Sequence, residues 1–209
     1  MSRSCRVIAH RGAAAEAAEN TIEAFDLALR LGADALELDV QPAGDGTLVV
    51  IHDPTLERTT EGSGAVAEHG AAELGRLGVP SLEEVLRRYP GIEITVDVKH
   101  APAAADVVAL VDRLGRTDLT ILYVEEGTEL AAFRGYRGRR ATSTRQAARL
   151  ADAVASGRAP ALLSADFPEV VHTPLAGPGG AIVTAGLVAD VQRSGRTIQV
   201  WTIDRPDEM

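Results

Sequence analysis

Residues 35–40 read Ala-Leu-Glu-Leu-Asp-Val, and this stretch decides the fold. Apolar side chains alternate with Glu37 and Asp39, which is typical of a β-strand whose two acids share one face. The same alternation returns at residues 94–99, where Asp97 and Lys99 share a face. A strand buried on both faces is normally a nearly continuous apolar run. Acids at these positions therefore indicate strands that end at a functional site.

Around this stretch, short apolar runs alternate with segments of helical periodicity. The predicted strands are RVIAH, ALELDV, IEITVDV, LTILYV, ATST, ALLSA and TIQVWTI. The predicted helices cover about Thr21–Leu31, Ser81–Tyr89, Ala103–Leu114, Glu129–Phe133, Gln146–Ala155 and Ala185–Ser194. Asn20 is a candidate N-cap of the first helix. Strict alternation predicts parallel strands joined by right-handed crossovers.

Both an open sheet and a barrel satisfy this pattern. No glycine-rich dinucleotide fingerprint follows the first strand, so the barrel is favoured. The segment from about 41 to 80 breaks the alternation and predicts an insertion after the second strand. We therefore expect one α/β domain over residues 1–209, a TIM-type (β/α)8 barrel with this small insertion. Seven β/α units are one short of eight, so the last helix and strand are expected to be lacking.

Composition limits the function classes. The 209 residues carry a net charge of −9 with no basic excess, which argues against a nucleic-acid partner. An anionic substrate would need local positive charge at its site. There is one cysteine, Cys5, and no apolar run of membrane-spanning length. A cytoplasmic protein without stable membrane insertion is expected; the oligomeric state is left open.

The polar residues at the predicted strand ends are the candidates for chemistry. In a parallel barrel the active site lies at the carboxyl ends of the strands. Three carboxylates there, Glu37, Asp39 and Asp97, favour a hard cation such as Mg²⁺ or Ca²⁺. The alternative is a structural ion network with Arg11 and Lys99. His10 and His52 end neighbouring strands and suit acid and base roles in phosphodiester cleavage, with Arg11 and Lys99 holding the phosphate.

A series of motifs resembles the glycerophosphodiester phosphodiesterases. IAHRG, AENTIEAF, ALELDV, VVIHDPTLERTT and VPSLEEVL occur in that family's order and approximate spacing, and VDVK and VWTID continue the series. The resemblance covers nearly the whole chain. It implies a TIM-type barrel with a small insertion after the second strand, and hydrolysis of glycerophosphodiesters to glycerol 3-phosphate and an alcohol.

The resemblance also implies roles for individual residues. Those roles are acid–base catalysis by His10 and His52, metal ligation by Glu37, Asp39 and Asp97, and substrate binding by Arg11, Lys99 and Trp201. Glu19 and Asn20 match the family's Glu-Asn-Thr element near the site. Helix capping for Asn20 and simple core packing for Trp201 remain open. This chain departs from the family pattern at Asp97, where Glu is common, and lacks a proline before Glu19.

Two other function classes compete with this interpretation. One is a phosphodiesterase acting on lysophospholipids or sphingomyelin-type lipids, which would be expected to carry an apolar rim that these polar loops lack. The other is a non-catalytic phosphate-binding barrel, which has no need of two titrating histidines. A third possibility is that the chain is a destabilised fragment.

Overall fold

The computed structural model describes residues 5–124, 133, 135–163, 167–177 and 179–203. The chain divides into two compact units, Met1–Gly138 and Arg139–Met209. Each unit is an α/β structure with parallel strand pairing. Within the described residues, no helix has the length and apolar character needed to cross a membrane.

The first unit is built on a parallel sheet. Its strands are β1 (Ile8–His10), β2 (Ala35–Pro42), β3 (Leu48–Val50), β4 (Glu93–Val98) and β5 (Thr120–Val124). Strands β1, β2, β4 and β5 are parallel neighbours in that order, and β3 pairs antiparallel with the end of β2. The helices are α1 (Ile22–Arg30), α2 (Ala71–Arg76), α3 (Leu82–Arg88) and α4 (Ala104–Arg113).

The core of this unit lies between the sheet and its helices. Leu36, Leu38 and Val40 of β2 pack in one apolar cluster with residues of α1, α3, β4 and α4. This confirms the alternation predicted for residues 35–40. The acids between them are also buried, so β2 carries carboxylates into a protein interior.

Residues 41–80 leave the β/α alternation, as predicted. They contain β3, a 3-10 turn at Val66–Glu68 and α2. This insertion has an apolar cluster of its own, separate from the cluster beside the sheet, formed by Ala43, Val49, Ile51, Leu56, Val66, Leu74 and Val79.

The second unit also pairs strands in parallel. Its strands are β6 (Arg139–Arg140), β7 (Val170–Pro174), β8 (Ala176–Gly177), β9 (Gly180–Ala181) and β10 (Thr197–Trp201). Strand β7 pairs in parallel with β10, while β8 and β9 form a short antiparallel pair. The helices are α5 (Thr144–Ala155), α6 (Ala159–Leu162) and α7 (Ala185–Arg193).

Four details of the predicted elements need correction. Thr21, not Asn20, is the N-cap of α1, because its hydroxyl accepts from the backbone N–H of Ala24. The predicted strand ALLSA is wrong in its first two residues, which belong to α6. The sequence pattern missed β7, and it placed ATST as a strand where β6 ends at Arg140. The predicted helix Glu129–Phe133 lies, except for Phe133, outside the described residues.

Candidate active site

The carboxyl ends of the strands in the first unit gather most of the predicted site residues. Strand register places His10 opposite Glu37 and Asp39 opposite Asp97. On the next strand, Asp97 lies opposite Tyr123. The parallel topology thus brings residues from four separate segments to one edge of the sheet.

Glu37 lies in the most unfavourable electrostatic position of this group. Glu37 is only 5% exposed, and its Oε2 lies 3.8 Å from Nε2 of His10. Two groups donate to its carboxylate, the backbone N–H of Arg11 at 3.2 Å and the hydroxyl of Tyr123 at 3.1 Å. Burial, followed by repulsion from Asp39 and Asp97, nevertheless raises the pKa of Glu37 well above its usual value.

Both oxygens of Asp39 have partners. Its Oδ2 accepts from Asn20 Nδ2 at 2.8 Å and lies 3.1 Å from Arg11 Nε, while its Oδ1 lies 3.0 Å from Lys99 Nζ. Lys99 also contacts Asp97 Oδ2 at 2.6 Å. The two cations predicted to hold phosphate are therefore engaged with carboxylates, which is the ion network named above as the alternative to a metal site.

The backbone that carries Arg11 and Asn20 is held in an uncommon conformation. Both residues have positive φ angles, 56° and 59°, which cost free energy for residues other than glycine. Gly12 follows with φ of 82°, and a Cβ there would lie 2.8 Å from the backbone carbon of Ala24. The bend turns the N–H of Arg11 toward Glu37, to whose backbone carbonyl it also donates at 3.0 Å.

Asn20 is 2% exposed and forms two hydrogen bonds with Asp39. Its side chain donates to the carboxylate and accepts from the backbone N–H. The side chain of Asn20 thus contacts the acid cluster, in agreement with its predicted position near the site.

The donor chemistry of the three acids fits a hard divalent cation. Such ions take carboxylate oxygens, and positive charge beside Glu37 would offset the repulsion that raises its pKa. The side chains do not form a ready-made cage, however. Within the residues that the structure describes, no three Asp, Glu, His or Cys side chains are grouped to hold a metal ion. The ammonium of Lys99 lies between Asp39 and Asp97 instead.

His52 is held by a second chain of charges. Its Nδ1 lies 2.7 Å from Asp53 Oδ1, and Arg58 donates to both oxygens of Asp53. Arg58 also donates to both oxygens of Glu19, which accepts from Arg11 at 3.1 Å. These bonds lower the pKa of Asp53 and of Glu19 below their usual values, with Arg58 the largest cause in each. A charged Asp53 favours the tautomer of His52 with the proton on Nδ1, which leaves Nε2 as the acceptor nitrogen of the ring.

Four residues of this region were missed by sequence reasoning: Gln41, Asp53, Arg58 and Tyr123. Asp53 and Arg58 lie inside the quoted motif VVIHDPTLERTT, so their place beside His52 was a usable signal. Tyr123 is the next-to-last residue of an ordinary apolar strand, and only the register of β4 with β5 brings it to the acids. A small open cleft lies beside His52, lined by residues 19–21, 50–52, 59–60 and 77–79.

Trp201 belongs to the second unit. It lies in β10 opposite Pro174, and its ring centroid is 5.5 Å from that of His172. Its role on the substrate stays a prediction.

Comparison with known proteins gives one consistent result. Residues 10–209 match the model of the glycerophosphoryl diester phosphodiesterase family. A putative glycerophosphodiester phosphodiesterase of Bacillus subtilis is 37% identical over 146 residues, covering 63% of this chain and 60% of that protein. The matched stretch therefore spans under two thirds of the length of that relative.

Solved structures agree with the sequence match. A glycerophosphodiester phosphodiesterase from Agrobacterium tumefaciens has a TM-score of 0.75 at 28% identity, covering 96% of this chain and 88% of that one. An Oleispira antarctica phosphodiesterase, solved with the product sn-glycerol-3-phosphate, has a TM-score of 0.69 at 24% identity, covering 96% and 85%. These likenesses confirm the predicted fold class, a TIM-type α/β barrel fold with an insertion after the second strand.

Proposed function

Because the chain belongs to the glycerophosphoryl diester phosphodiesterase family, we propose that it hydrolyses glycerophosphodiesters to glycerol 3-phosphate and an alcohol. The observation that supports the proposal is the register that sets His10 beside Glu37 and Asp39 beside Asp97, all three acids being buried. Ile51, the residue before His52, donates to the carbonyl of Asp39 at the same end of the sheet. The Oleispira protein with bound glycerol phosphate supports the same class of product.

In the proposed reaction the two histidines exchange protons with the substrate. One imidazole takes the proton of the glycerol hydroxyl next to the phosphate, and that oxygen attacks phosphorus. The P–O bond to the alcohol breaks, the other imidazole donates a proton to the departing oxygen, and a cyclic phosphate remains. Water then opens the ring with the two roles reversed. Arg11 and Lys99 stabilise the charge on the phosphoryl oxygens.

Members of this family generally use a divalent metal. Here Glu37, Asp39 and Asp97 would hold one Mg²⁺ or Ca²⁺, which would supply positive charge for the phosphate. A water-soluble diester is favoured over a lipid, since the large apolar side chains exposed among the described residues are only Val7 and Leu31. The cytoplasmic location and the single domain over residues 1–209 stay predictions.

The test is release of glycerol 3-phosphate from glycerophosphocholine, with EDTA and with Mg²⁺ or Ca²⁺ restored. We expect metal-dependent release, and a loss of roughly 10²- to 10⁴-fold in kcat for His10→Ala and for His52→Ala. His69→Ala is the matched control, because His69 lies in the insertion and pairs with Glu73. Undiminished turnover in either site variant would contradict the proposed chemistry.

A further inference from the structure

Gln41 makes an uncommon set of contacts two residues beyond Asp39 on β2. Its side-chain Nε2 donates to three consecutive backbone carbonyls, those of Ile51 at 3.0 Å, His52 at 3.3 Å and Asp53 at 2.7 Å. These residues follow β3 directly. The segment that carries His52 therefore has its carbonyls gathered on one nitrogen.

This geometry constrains the backbone. A carboxamide has two N–H protons, so three carbonyls can be served only if one proton is shared between two of them. Successive carbonyls of an extended chain point in alternate directions. Their convergence on one nitrogen therefore requires residues 51–53 to curl, and the curl sets the direction of the Cα–Cβ bond of His52.

The ladder between β2 and β3 does not provide this constraint. Val40 pairs with Val50, and the N–H of Ile51 donates to the carbonyl of Asp39 at 3.0 Å. From there the chain leaves β2. The side chain of Gln41 is what continues the connection from β2 to the carbonyls of residues 51–53.

We propose that Gln41 is a positioning residue for His52, which it holds through the backbone while Asp53 holds the imidazole ring. The inference rests on the proposed function of His52. The hydrogen bonds of the Gln41 side chain go to carbonyl oxygens, so it acts on the reaction through the placement of His52. The two contacts are complementary, because Gln41 fixes the backbone of His52 and Asp53 fixes Nδ1 of its ring.

The insertion has other means of staying folded. Its own apolar cluster is buried, and the N–H of Val50 donates to the carbonyl of Pro80 at 2.9 Å. Removing the amide of Gln41 is therefore expected to disturb residues 51–53 locally and to leave the rest of the insertion in place.

The experiment compares Gln41→Met and Gln41→Glu with Val49→Ala. Methionine keeps the length of the side chain and removes both donors. Glutamate keeps the shape and presents an oxygen to the same three carbonyls. Val49 is the cross-strand neighbour of Gln41 and is fully buried in the insertion, so Val49→Ala destabilises the same region without removing a hydrogen bond to residues 51–53.

We expect kcat on glycerophosphocholine to fall roughly 10- to 100-fold in Gln41→Met and at least as far in Gln41→Glu, with KM within about threefold. Val49→Ala is expected to keep kcat at temperatures where it is folded. Unchanged kcat in Gln41→Met, or an equal loss in folded Val49→Ala, would overturn the assignment.

A second readout separates this inference from the proposed reaction. The ring resonances of His52, assigned in nitrogen–proton correlation spectra by their loss in His52→Ala, are expected to shift in Gln41→Met and to stay in place in Val49→Ala. Unshifted His52 resonances in Gln41→Met would overturn the positioning role even if His52 proves catalytic. Shifted resonances, with full turnover in His52→Ala, would support the placement and refute the reaction on which its purpose rests.

Discussion

The two ends of the parallel sheet in the first unit use charge in opposite ways. At the amino end, Arg6 pairs with Glu93 at 2.9 Å, Asp34 accepts from the N–H of Val7 at 2.8 Å, and buried Arg116 donates to the carbonyls of Pro90 and Ile92. Arg6 and Asp34 have partners of opposite polarity, whereas burial lowers the pKa of Arg116, whose partners among the described residues are carbonyls.

At the carboxyl end, three buried acids lie close enough for Asp39 and Asp97 to raise the pKa of Glu37. Two residues nearby have positive φ angles. The difference teaches that unfavourable charge and backbone strain collect at the carboxyl end of the sheet, where the proposed site lies. Mutations at the two ends should therefore separate stability from turnover.

The largest effect on stability is expected at the amino end, for Arg116→Met. Arg116 is 5% exposed, and its loss leaves the carbonyls of Pro90 and Ile92 without their charged donor. We expect the free energy of unfolding to fall by about 2 kcal/mol, with kcat of the folded protein unchanged. Urea denaturation and the glycerophosphocholine assay measure the two quantities. Arg113→Met, at an exposed arginine paired with Glu83, is the control and should leave both nearly unchanged; a loss of kcat in folded Arg116→Met would contradict the comparison.

A smaller effect of opposite sign is expected at the carboxyl end, for Glu37→Gln. The amide removes one of three mutually repelling buried charges, and its single oxygen still accepts from Tyr123. The N–H of Arg11 loses its side-chain acceptor and keeps its bond to the backbone carbonyl of Glu37. We expect the protein in EDTA to gain about 1 kcal/mol of unfolding free energy at neutral pH and to lose its activity. Thermal unfolding in EDTA checks the gain. A loss of stability would show that Glu37 supports the fold.

The smallest effect on stability is expected at acid pH, for Arg58→Gln. Arg58 holds the pKa values of Asp53 and Glu19 below their usual 3.8 and 4.5. The ion pairs of Arg58 with Asp53 and Glu19 stabilise the fold above the ordinary pKa values of these acids. That stability is lost as the pH falls through the lowered pKa values. Arg58→Gln should therefore show a shallower fall of Tm below about pH 4.5. Arg76→Gln, at an exposed arginine on α2 of the same insertion, should follow the wild type; parallel curves for Arg58→Gln and the wild type would contradict this role.

The sequence carried the acids and histidines of this site because their pattern is local. Glu37, Asp39 and Asp97 interrupt apolar alternation, and the end of an apolar run marks His52. The supporting residues were harder to find. Gln41 and Tyr123 acquire their roles only through strand register, which places them beside carbonyls and carboxylates distant in sequence.

Two errors in the second unit come from short segments whose apolar pattern does not identify the element. ALLSA is a short apolar run, and such runs do not distinguish a strand from a buried helix by periodicity. The chain there forms the short helix α6 at Ala159–Leu162. Strand β7 was missed because Val170–Pro174 contains few apolar residues and ends in proline, although its partner β10 was predicted.

The separate apolar cluster of the insertion has an evolutionary consequence. Since Ala43, Val49, Ile51 and their neighbours pack with one another, substitutions among them can drift or compensate without repacking the interior beside the sheet. The insertion is joined to the sheet through β3, which pairs with β2 and whose Leu48 and Val50 pack in the cluster beside the sheet. The residues of the insertion's own cluster can therefore change together during evolution and reshape the cleft beside His52. The hydrogen bonds of Gln41 and the ion pairs of Arg58 would have to be kept.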